Sequence, residues 1–136
     1  MLDHIATIET IEKECLEINS FLEITPSEQL QEIKERGTIL AQHIVRTGKL
    51  MADAKYHLNI AKKSEIMETL REVAKNTPFA TSKTINELIS SLCANEQFFV
   101  DLTERLNNSC TKQWEWCRSL LSLAKEEMHL EYGMPK

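Results

Sequence analysis

From Leu30 to Ala61 the apolar and small residues recur in strict steps of three and four. The series is Leu30, Ile33, Gly37, Leu40, Ile44, Thr47, Met51, Ala54, Leu58 and Ala61. A stripe kept over roughly four and a half heptads is a helical seam of the coiled-coil type, and a strand with its period of two cannot carry it. Glycine and proline total only six of 136 residues, which argues against collagen, linkers and turn-dense all-β folds. The chain is 42% hydrophobic and 27% charged, so it is not disordered by composition.

The rest of the chain divides around this seam. Leu2, Ile5, Ile8, Ile11, Cys15, Ile18 and Leu22 predict a first helix over 2–23. Six acids in that segment stand against one base, Lys13, so it carries −5, the whole net charge of the protein. Thr25-Pro26-Ser27-Glu28 has the form of a capping box with proline at the first helical position. The helix it opens has no strong stop before Asn76-Thr77-Pro78, which predicts a rod over 26–75 about 75 Å long. A break near Thr47-Gly48 is the rival reading, because glycine costs about 1 kcal/mol in a helix interior. Gly37 has an alternative use, to let a neighbouring helix approach closely. A phase shift to Ile66, Leu70 and Val73 reads as a stutter.

Residues 76–83 predict the one loop, with Thr84 and Glu87 as a second capping box. A short helix with Ile85, Leu88, Ile89 and Leu92 follows, and the chain turns again near Cys93–Glu96 with Asn95 as a cap. A last helix covers about 96–131, with a stripe of Phe99, Leu102, Leu106, Cys110, Gln113, Cys117, Leu120, Leu121, Ala124 and Met128. Gly133 and Pro135 end it.

The expected fold is therefore all-α, a single domain over 1–136. It is a long, coiled-coil-like antiparallel hairpin with an N-terminal helix over one end and a short connecting helix, bundle-like overall. An elongated hairpin buries less surface than a globule of equal length, which points to a partner. Apolar residues off the main stripes agree. Phe98, Trp116 and Leu123 share one flank of the last helix, and Ile39 and Leu50 lie away from the long seam. These five are the candidate interface, with a homo-oligomer, a dimer first, or another helical protein as partner. Trp114 and Trp116, two apart, point to different faces.

Little in the sequence suggests catalysis. Glu126-x-x-His129 has the spacing of a di-iron half-site, but no second copy accompanies it. Asp53-x-x-x-His57 is the other carboxylate–histidine pair at helical spacing, and both read as surface pairs. His4 and His43 have no ligand-like neighbours. No G-x-S-x-G elbow and no phosphate-binding glycine loop occurs. The expectation is a non-enzyme without metal or cofactor. A weaker signal lies at 46–63, where Arg46, Lys49, Lys55, Lys62 and Lys63 face one acid, Asp53. That strip, with Tyr56 beside it, is the candidate phosphate-contacting surface for single-stranded DNA. Cys15, Cys93, Cys110 and Cys117 form no C-x-x-C pair, and no basic leader or membrane-length apolar run is present. Reduced, buried thiols in a cytoplasmic protein are expected.

Five stretches carry a family likeness: Ala52-Asp53-Ala54-Lys55-Tyr56, Lys83-Thr84-Ile85-Asn86-Glu87-Leu88-Ile89, Glu96 to Val100, Glu104-Arg105-Leu106-Asn107 and Leu120 to Glu127. Over about residues 40–130 the chain resembles small helical proteins encoded by phages, prophages and other mobile elements of gut Bacteroidales. The resemblance implies an all-helical fold and a gene context near phage DNA metabolism. It transfers no catalytic residue.

Overall fold

The computed structural model describes residues 4–76 and 81–131, apart from the side chains of residues 74 and 76. Four helices follow in order: α1 (Ile8–Glu23), α2 (Leu30–Asn76), α3 (Ser82–Leu92) and α4 (Ala94–Glu131). The fold is all-α, and α2 and α4 pack along each other as the expected hairpin.

Local chemistry sets boundaries that differ from the expected ones. α1 begins at Ile8 because Thr7 caps it, its hydroxyl accepting from the Thr10 N–H at 3.2 Å. Leu2 lies outside the described residues. The Thr25 capping box does not form. Instead the Ser27 hydroxyl accepts from the Gln29 N–H at 3.0 Å, and the Gln29 carbonyl takes the first bond of α2 from Ile33 at 3.0 Å. A serine that captures a nearby amide competes with helix, which delays the start of α2 to Leu30. α3 is capped three residues earlier than expected, by Thr81, whose hydroxyl accepts from the Thr84 N–H. The chain turns at Cys93, as expected, but Asn95 lies inside the first turn of α4 and is not its cap. Thr77, Pro78, Gly133 and Pro135 lie outside the described residues.

α2 runs unbroken through Gly48, so its 47 residues span about 70 Å. Tertiary bonds bracket the glycine. Asn107 of α4 donates through Nδ2 to the Ile44 carbonyl at 2.9 Å and to the Thr47 hydroxyl at 3.0 Å. A Cβ at Gly48 would meet only Asn107 Nδ2, at 4.0 Å. Gly48→Ala is therefore expected to raise the unfolding free energy by about 0.5–1 kcal/mol in urea titration, since helix propensity improves without a clash. A Cβ at Gly37 would sit 3.8 Å from Cys117 Cβ, an ordinary contact, so close approach does not demand that glycine.

The seam of α2 buries Ile33, Leu40, Thr47, Ala54 and Leu58 against Phe99, Leu106, Cys110 and Cys117 of α4. The strict three-and-four series would continue at Glu65, Glu68 and Glu72, but the buried residue is Thr69, with Val73 half-buried, so the phase does shift as expected. Ile66 and Leu70, expected on the shifted stripe, are exposed instead. The shift comes where α3, with Ile89 buried, packs on α2. Met128 is exposed, contrary to expectation. Gly37 stands opposite Cys117, so Leu30 comes opposite about residue 124, and the last turns of α4 run on without α2 beneath them.

α1 lies over the middle of the hairpin rather than one end. Its Leu22 carbonyl accepts from Gln113 Nε2 at 3.2 Å and from Arg36 at 3.5 Å, Glu14 meets Arg46, and Ala6 meets Asp53 and His57. α1 is thus antiparallel to α2 and parallel to α4. Ile11, Cys15 and Ile18 complete the core.

Candidate functional site

The strip of bases on α2 does not stand free. The Arg46 guanidinium donates through Nε to Glu14 at 2.9 Å and through Nη2 to the other carboxylate oxygen. That hydrogen bond, less a burial penalty, holds the guanidinium pKa above its ordinary value. Lys49 donates to Asp53 at 2.5 Å and to the His4 carbonyl at 2.7 Å. Lys62 stands by Cys93 with Glu65 and Glu96, and Lys55 and Lys63 are exposed. The five cations expected as one surface are divided between two internal pairs and three separate positions. Tyr56 sits half-buried with its ring edge-on to His57.

The Asp53 and His57 pair serves a different purpose from metal binding. Ala6 donates its N–H to Asp53 Oδ2 at 3.0 Å, and its carbonyl accepts from His57 Nε2 at 2.6 Å. One helical turn of α2 thus grips both backbone polar groups of Ala6, just ahead of α1. Burial acts to raise the Asp53 pKa, but the bonds from Lys49 and Ala6 and the charges of Lys49 and Arg46 outweigh it, and the carboxyl lies below its ordinary value. Among the described residues no three histidine, cysteine, aspartate or glutamate side chains cluster as metal ligands. His43 is half-buried, edge-on to Phe21 at 5.1 Å, and burial lowers its pKa.

The N-terminal segment also explains a failed expectation. Leu50, placed among the interface residues, is fully buried. It shares a helical flank with Arg46, Asp53 and His57, the side of α2 that α1 and its leading residues cover. The other four remain at the surface: Ile39 is 38% exposed, Phe98 56%, Trp116 57% and Leu123 56%. Trp114 is half-buried with Arg118 over its ring at 5.7 Å, so the two tryptophans do point apart.

Sequence periodicity missed the cavity beside Phe98. It lies between α1 and α4, has a volume of about 300 Å³, and is walled by Cys15, Leu16, Phe98, Phe99 and Leu102. Glu12, Asn19 and Arg105 supply its polar groups. Leu16 is exposed at the surface of α1. The walls come from two helices far apart in sequence, so no single stripe announces them. Burial, helped by the Glu14 charge, pushes the Cys15 thiol up to about 11, away from the reactive thiolate form. All four cysteines are free and buried, and burial raises each thiol pKa.

A well of this volume has room for a side chain or a small apolar group, and it lies beside exposed aromatic and aliphatic residues. No family model matches the chain, and neither a curated protein nor a solved structure matches it.

Proposed function

We propose that the chain is a non-enzymatic interaction module that docks a helical protein on the outer face shared by α1 and α4. The carrying observation is the row Phe98, Trp116 and Leu123 on one flank of α4, each more than half exposed, with the cavity at the Phe98 end. Large exposed aromatics next to an apolar well are the usual anchors of protein interfaces. The runner-up, single-stranded DNA binding, loses support because Arg46 and Lys49 are spent on Glu14, Asp53 and the His4 carbonyl.

Site-specific photo-cross-linking tests this. A photoreactive residue at Trp116 is expected to give a protein adduct, and one at Val45, which is 76% exposed on α2, is expected to give none. No adduct at position 116, or equal adducts at both, would remove the α1–α4 face from consideration.

A further inference from the structure

The cavity between α1 and α4 and the bulkiest exposed side chain, Trp116, lie along the same flank of α4 yet cannot meet within one chain. Phe98 and Trp116 are 18 residues apart, five helical turns, so they share an azimuth but stand about 27 Å apart along a continuous α4. A knob and a hole on one face, separated in this way, are satisfied together when a second copy lies antiparallel across a two-fold axis.

The residues between them fit that arrangement. Phe98 and Trp116 stand nine residues either side of Asn107, Leu102 and Lys112 five, and Arg105 and Ser109 two. With the axis at Asn107, Phe98 and the cavity face the partner's Trp116, Arg105 crosses the partner's Ser109, and Lys112 crosses the partner's Leu102. These are the alternating layers of an antiparallel coiled coil, repeated on a 3-4 spacing over 98, 102, 105, 109, 112 and 116. The charges agree with the register. Asp101 adjoins Leu102, so the ammonium of each Lys112 meets the partner's Asp101 while its stem covers the partner's Leu102. None of Asp101, Arg105 and Lys112 forms an ion pair among the described residues. Among the described residues Asp101 accepts from the neutral Gln97, at 2.9 Å.

We infer that the partner on the α1–α4 face is a second copy of this chain, bound antiparallel through α4, with each Trp116 indole seated in the other copy's cavity. Leu16, Phe99 and Leu102 wall the seat, and Glu12 and Asn19 at its polar side accept from the indole N–H. This rests on the reading of that face as a docking surface.

Light scattering after size exclusion, over a concentration series of the whole chain, tests it. The expected mass is twice 15.7 kDa. Trp116→Ala removes two equivalent anchors and is expected to raise the dimer dissociation constant about a thousandfold. Asp101→Lys and Lys112→Asp, each at an exposed position, are expected to weaken the dimer about tenfold or more by placing like charges together. The double variant is expected to recover to within about threefold, because the reversed pairs match again. Circular dichroism should show unchanged helicity in all four variants. A monomer at every concentration would overturn the second-copy inference. If position 116 then cross-links to a different protein, the docking face itself survives. A dimer indifferent to Trp116→Ala, or a double variant as weak as its parents, would overturn the register.

Discussion

Leu106→Ala lowers the unfolding free energy by about 3–4 kcal/mol, the expected result for a fully packed core leucine. Leu106 is 1% exposed at the centre of the α2–α4 seam. Its neighbours along α4 are Thr103, whose hydroxyl donates back to the Phe99 carbonyl at 2.8 Å, and Cys110, which is fully buried. Opposite lies the unbroken rod of α2, pinned nearby by Asn107 to the Ile44 carbonyl and the Thr47 hydroxyl. Two long helices held by such bonds close little over a missing side chain, so most of the cavity persists and the cost stays toward the upper part of the range. Val45→Ala, on the exposed side of α2, should stay within about 0.5 kcal/mol of the parent. Urea unfolding monitored by circular dichroism reads both. A loss below about 1 kcal/mol for Leu106→Ala would contradict the described seam.

Asp53→Ala is expected to free the segment ahead of α1 without unfolding the hairpin. The carboxylate accepts from Lys49 and from the Ala6 N–H, and hydrogen bonds to a charged acceptor are worth about 1.5–3 kcal/mol. Amide exchange at Ala6 should therefore quicken by about 10–100-fold, while exchange at Leu106 holds. The same bond gives a pH dependence of known sign. Because the Asp53 pKa is lowered in the folded state, its stabilisation is complete above the unfolded value of about 3.9. It is lost as pH falls through the folded value. Ala6 protection that is equal in parent and variant, or that fails to drop on acidification, would show that Asp53 does not hold the segment.

The Asp53 grip also shows where sequence reasoning stops. The seam, the four-helix order and the turn at Cys93 were legible because each depends on local periodicity and local turn chemistry. The burial of Leu50 was not, because it depends on α1 and the preceding residue Ala6 lying over α2. Asp53 and His57 read as a surface pair or weak ligand pair, since the groups they bind are a backbone amide and carbonyl, which leave no mark in side-chain spacing. Arg46 and Lys49 read as a free cationic strip for the same reason: Glu14 and the His4 carbonyl come from a different helix and its approach. Helix starts moved by three to six residues because Thr7, Ser27 and Thr81 each compete with equally suitable hydroxyls nearby. On the outer face of α4 the azimuth of Phe98, Trp116 and Leu123 was enough to place them at the surface. The cavity beside Phe98 was hidden because half of its wall belongs to α1.

The placement of α1 over the midsection gives the molecule an uneven thickness, three helices in the centre and fewer toward either end, down to α4 alone in its last turns. Protection against local opening follows the number of apolar neighbours around each backbone bond. The rod should therefore loosen from its extremities inward. The last turns of α4 and the far end of α2 would open and close many times for each global unfolding event. The segment around Leu40, Leu50 and Leu106 would open only when the whole chain does. Such a gradient concentrates rigidity in the waist of the molecule, where the proposed docking face begins, and leaves the tips free to adjust.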